Sequence, residues 1–129
     1  QEWSVDVNGA TEPFYYYWNK CVGSGHAGLM LRDDWREYMK NGHDAIGFNQ
    51  VRGHGIFVDD VGAYNGDNDY SFVNIDNIYS YLLSIGMKPY VEISSMPAKL
   101  AINASDSMMH YNWISSPPTS YELWHDFIK

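Results

Sequence analysis

Residues 74–94 read NIDNIYSYLLSIGMKPYVEIS, and the fold is decided by how this stretch is read. Ile75, Ile78, Tyr79, Leu82 and Ile85 recur at the spacing of one helical face, which predicts an amphipathic helix. Asn74 is a residue type that caps a helix N-terminus, and Gly86 supplies the left-handed residue that ends one. Lys88–Ser94 follows at once, with the β-branched and aromatic residues of a strand. A helix that feeds a strand after so short a turn is the repeating piece of an alternating α/β chain.

Working outward, the same alternation recurs on both sides. Phe14–Cys21 is aromatic-rich and predicts a first strand, ending in a glycine loop, Gly23–His26. Asp33 and Asp34 open a helix, where carboxylates favour the positive end of the helix dipole. Trp35, Tyr38 and Met39 share a face of that helix, and Asn41-Gly42 is its expected stop. Phe48–His54 predicts a second strand, and a loop rich in Gly, Asp and Asn runs from Gly55 to Ser71. After the third strand, a second long loop covers Met96–Pro118. Thr119 and Glu122 have capping-box spacing, and the helix they begin carries Trp124, Phe127 and Ile128.

The order βαβαβα means parallel strands with right-handed crossovers. A doubly wound sheet and an eightfold barrel both satisfy it. Three strands alone would leave long exposed edges, and the last helix has barely two turns at Lys129. Residues 1–129 are therefore expected to be an N-terminal fragment of a larger α/β domain.

Composition narrows the function. Hydrophobic residues make up 45%, which excludes a disordered segment. The net charge of −8 disfavours nucleic acid and anionic membranes as partners, and a neutral substrate is compatible with it. Aromatic residues reach 16%, with 11 Tyr and 5 Trp; such rings fill cores and also stack on sugars. The single cysteine, Cys21, allows no disulfide within the chain. No apolar run approaches the roughly 18 residues of a membrane span. No signal peptide is visible, and Asn103-Ala104-Ser105 is a glycosylation sequon that counts mildly toward secretion.

The chemistry-bearing residues gather at strand ends. Arg52 and His54 alternate onto one side of the second strand, and Tyr90 and Glu92 onto one side of the third. An arginine, a histidine and a carboxylate there are either a structural ion pair or the beginning of a site, and spacing alone weighs these about evenly. Gly53 and Gly55, flanking His54, leave room for a ligand or a close backbone approach. The histidines at 26, 43, 54, 110 and 125 lack metal-ligand spacing. Gly23-Ser24-Gly25 is no dinucleotide fingerprint, and no nucleophile elbow is present. Asp59-Asp60 is a sugar-ligand candidate, though exposed acidic pairs are more often simply solvated.

These segments together resemble family-39 glycoside hydrolases. The matching stretches are Cys21–Leu29 with Leu31–Trp35, Val51–Gly55, Asp59–Gly62, Ser84–Ile93 with Met96-Pro97, and Pro117-Pro118 with Tyr121–Trp124. The resemblance implies about three βα units from the N-terminal portion of a TIM (β/α)8 barrel. It also implies a retaining, exo-acting β-xylosidase-like hydrolase of xylo-oligosaccharides, with no cofactor. Two glutamates would act, an acid/base in an Asn-Glu-Pro motif on the fourth strand and a nucleophile on the seventh, about 5 Å apart. Asn-Glu-Pro does not occur here, so both are expected beyond Lys129, and Glu92, on the third strand, is neither. By the same resemblance His54 binds a sugar hydroxyl next to the scissile bond, His26 borders that subsite, and Arg52 supports the nucleophile. Ser95 and Met109 stand where many relatives carry Phe. Within the family, an α-L-iduronidase-like activity is the alternative; outside enzymes, it is a non-catalytic sugar-binding barrel.

Overall fold

A computed structural model describes residues 2–102 and 115–129 of the chain. Three strands, β1 (Val22–His26), β2 (Gln50–His54) and β5 (Lys88–Val91), form one parallel sheet in the order β1-β2-β5. Helix α1 (Asp33–Ile46) connects the first two, and α2 (Val73–Ser84) leads into the third. A two-stranded hairpin, β3 (Tyr64–Gly66) and β4 (Asp69–Tyr70), lies in the β2–α2 connection, and α3 (Tyr121–Ile128) comes last. Consecutive parallel neighbours with α1 and α2 as connections are the pattern of the opening units of either a (β/α)8 barrel or an open sheet.

The first strand is not the aromatic run. Phe14–Trp18 is solvent-exposed and runs into a 3-10 turn at Tyr17–Asn19. Strand preference of aromatic residues reflects packing on a half-buried surface, and here these rings stack mainly on one another. The glycine-rich segment forms β1 instead, because Val22 and Gly23 pair with Val51 and Arg52 of β2. Helix α1 also runs past Asn41-Gly42 and stops at Gly47, whose φ of 83° is the left-handed stop. His43 secures that turn, its Nδ1 2.6 Å from the Phe48 carbonyl.

The core lies between the sheet and α1 and α2. Val51 faces it from β2, and Ile75, Ile78 and Leu82 from the α2 stripe. Tyr79 and Ile85 pack at its border, and Gly86 ends the turn at φ 84°. Trp35 and Met39 of α1 face it as expected, but Tyr38 is at the surface. Arg36 locks the two helices together: its guanidinium stacks on Tyr81 at 4.8 Å, and the Tyr81 hydroxyl donates to the Arg36 carbonyl at 2.6 Å.

Two helix caps shift from their expected positions. Asn74 lies inside α2, where its side-chain amide donates to the Val61 carbonyl at 2.9 Å and so ties the helix to the preceding loop. Ser120 caps α3, its Oγ accepting from the Leu123 amide at 3.3 Å, while the Thr119 amide is used by the Leu100 carbonyl. Trp124 and Phe127 pack inward from α3, whereas Ile128 is 40% exposed. Phe127 is buried within a ring cluster of Phe57, Tyr64, Tyr70, Phe72 and Trp124, with centroids 4.5–6.2 Å away. The sequon at Asn103, Met109 and His110 fall outside the described residues.

Candidate active-site face

Parallel pairing puts registered residues on the same side of the sheet. Arg52 pairs with Gly23 on one neighbour and with Tyr90 on the other. Gln50, Arg52 and His54 therefore share the face opposite the helices, which is the interior face of a barrel, with His54 at its C-terminal end.

His26 reaches that end through a bulge. Two residues of β1, Ser24 and Gly25, oppose the single Gly53 of β2, after which His26 pairs with His54. Gly25 takes φ 81°, a value an L side chain would resist. The extra residue turns His26 toward His54, and the rings meet edge to face with centroids 5.8 Å apart. Nδ1 of His26 is 3.2 Å from Asp60 Oδ2 and accepts from the Gly28 amide at 3.4 Å.

The glycines beside His54 admit close approach by neighbouring groups, one of the two uses expected of them. A Cβ on Gly53 would fall 2.1 Å from Cε of buried Met30. One on Gly55 would fall 2.8 Å from Nε2 of His26, and Gly55 also holds φ 75°. Met30 makes that approach on the helix side, and the His26 imidazole makes it above the strand.

Arg52 and Glu92 do pair, Arg52 Nη2 against Glu92 Oε2. The other carboxylate oxygen accepts from Ser94 Oγ at 2.9 Å, and Ser94 Oγ accepts from the Gly55 amide at 3.1 Å. This chain fixes the end of β2 to the segment after β5. The Arg52 side chain remains about half exposed on the interior face. Asp59 and Asp60 are committed to structure: Asp59 accepts from the Ala98 amide at 3.1 and 3.2 Å, while Asp60 faces His26. Ser94 and the Asp60–His26 contact were not legible in the sequence. Ser94 has no motif, and Asp60 is brought to His26 only by the tight turns of the β2–α2 connection, Val58 N–H to Gly55 O and Val61 N–H to Val58 O. Among the described residues, no group of three or more His, Cys, Asp or Glu side chains is placed to hold a metal ion.

The family model for glycosyl hydrolases family 39 matches residues 2–129. The chain belongs to glycosyl hydrolase family 39. It is 44% identical over 117 residues to a β-xylosidase of Caldicellulosiruptor saccharolyticus, covering 88% of this chain and 24% of that protein. It is 34% identical over 132 aligned positions to a β-xylosidase of Geobacillus stearothermophilus, covering 97% and 26%. A family-39 β-xylosidase structure from Caulobacter crescentus superposes with a TM-score of 0.77 at 27% identity, over 95% of this chain and 28% of that one. The chain thus spans about a quarter of the length of the curated relatives it matches. The likeness to solved family members carries the barrel assignment of the three βα units.

Proposed function

We propose that this family-39 chain is the N-terminal barrel segment of a retaining β-xylosidase-like glycosidase acting on xylo-oligosaccharides. In this reading it supplies one wall of the sugar subsite and neither catalytic glutamate. One observation carries the reading: two imidazoles, His26 and His54, and the guanidinium of Arg52 stand at or near the C-terminal ends of adjacent parallel strands. That end of a barrel is where chemistry is built. His26 and His54 offer hydrogen bonds to sugar hydroxyls, and Arg52 stands toward the nucleophilic carboxylate of a later strand. The named β-xylosidase relatives support the substrate class.

The Arg52 guanidinium is already paired with Glu92, which fits a neutral xyloside beside it better than a uronate. Steady-state hydrolysis of nitrophenyl β-xyloside and nitrophenyl α-L-iduronide by the parent enzyme tests the assignment. A kcat/KM favouring the xyloside is expected. Preference for the iduronide would overturn the substrate, and sugar binding without hydrolysis of either would make the parent a binding barrel.

A further inference from the structure

We infer that Ser94 is a positioning residue: through the Glu92 carboxylate it holds the Arg52 guanidinium in place on the interior face. This refinement rests on Arg52 serving the sugar site as proposed above. The Ser94 hydroxyl stands between two partners whose roles are fixed. The Gly55 amide, 3.1 Å from Ser94 Oγ, can only donate, so it takes a lone pair of the oxygen. Glu92 Oε1, 2.9 Å away, receives the hydroxyl proton, and a bond to a carboxylate is the stronger kind. The other oxygen, Oε2, is buried and accepts no hydrogen bond among the described residues, which leaves the Arg52 guanidinium as the charge that balances it. Glu92 is thus held at one oxygen by Ser94 and faces Arg52 with the other.

Arg52 needs such a fixed partner. Its side chain is about half exposed, and an ion pair of that exposure restrains a long side chain weakly unless the carboxylate is itself held. Its register neighbours bring no second charge: they are Gly23 on β1 and Tyr90 on β5. Ser94 is pinned in turn. Its carbonyl accepts from the Phe57 amide at 2.8 Å, and its amide donates to the Glu92 carbonyl at 2.9 Å. The Phe57 ring meets Phe127 of α3 with centroids 4.5 Å apart, so the anchor runs from the interior face to the buried ring cluster. Without the hydroxyl, Oε1 loses its hydrogen bond, Glu92 turns about its side-chain bonds, and Arg52 follows.

Kinetics and crystal structures of the parent enzyme and its variants test this together. Toward nitrophenyl β-xyloside, Ser94→Ala should lower kcat/KM by about tenfold, the scale of one hydrogen bond to a charged acceptor. In an Arg52→Met background the same substitution should add less than about twofold, because the group it acts through is gone. Glu92→Gln keeps an oxygen for the Ser94 hydroxyl but turns an NH2 group toward the guanidinium, and it should reproduce the loss even if Ser94→Ala folds poorly. In crystals of both variants the Arg52 guanidinium should leave its native position while the backbone of β2 stays in place. A Ser94→Ala loss of equal size in both backgrounds, or an Arg52 guanidinium that keeps its native position in both variants, would overturn the proposal. Unchanged kinetics for Arg52→Met would instead overturn the role of Arg52 in the sugar site, and the crystal structures would still decide whether Ser94 and Glu92 hold it.

Discussion

His54 and Arg52 lie two residues apart on one face of β2, yet they have different surroundings. Arg52 is engaged by Glu92, whereas His54 touches His26 at the exposed strand end. If His54 donates to a sugar hydroxyl next to the scissile bond, the bond strengthens as charge develops on the ring. His54→Ala in the parent enzyme should then cost roughly 2–4 kcal/mol of transition-state stabilisation, lowering kcat as well as affinity. Measuring kcat, KM and melting temperature on one preparation separates this from a structural role, which would lower stability and leave the kinetics of the folded enzyme intact. Arg52→Met should act differently. Removing the cation beside a nucleophilic carboxylate disfavours its ionised form, so the acidic limb of the pH–rate profile should move upward as the rate falls. An acidic limb that stays in place would confine Arg52 to its pair with Glu92. Strand alternation made the shared side of Arg52 and His54 legible in the sequence. It did not reveal that His26 joins them, because that depends on Gly25 taking a positive φ and turning one residue out of register.

At the scale of elements, periodic segments were read well and glycine-rich ones poorly. The α2 stripe and the strand after it follow from side-chain period, since burial on one face selects both. The first strand was misplaced by about a whole element, because parallel pairing with β2 outweighs the strand preference of the exposed aromatic run. The hairpin hidden in the long loop did carry a signal: Asp67-Asn68, at φ 49° and 61°, is a two-residue turn of types that tolerate the left-handed region. The cap of α3 gives a direct check. Ser120→Ala removes the bond to the Leu123 amide and should destabilise the parent by about 1 kcal/mol, whereas Thr119→Ala should change little through capping. Equal losses would restore Thr119 as the cap. Burial raises the phenol of Tyr79, and burial outweighs the nearby cations in raising that of Tyr81. Because the folded state favours the neutral phenols, their contribution to stability is complete below about pH 10 and declines as pH rises above it. Phenolate absorbance during alkaline titration should show these tyrosines ionising late; ionisation at the ordinary value would contradict their burial.

For the whole molecule, no strand among the described residues pairs with the outer edge of β1 or of β5. Tyr90, Val91 and Ile93, on or just after the edge strand β5, are each more than half exposed. Expressed alone, residues 1–129 should self-associate and release no nitrophenol from nitrophenyl β-xyloside, since unpaired edges template pairing with other chains and the proposed function gives this segment neither catalytic glutamate. A sharp cooperative melt of a sedimenting monomer would show a self-sufficient domain. Order along the chain made the α/β class legible, but not the closure of the sheet: three βα units suit a barrel and an open sheet alike, and likeness to solved family members separates them. The most direct test is a crystal structure of the parent enzyme soaked with xylose. Sugar hydroxyls within hydrogen-bonding distance of His54 and His26, with Arg52 beside the nucleophilic carboxylate, are expected. A xylose held in the barrel by other residues, with both histidines away from it, would contradict the assignment of this face as the sugar-binding wall.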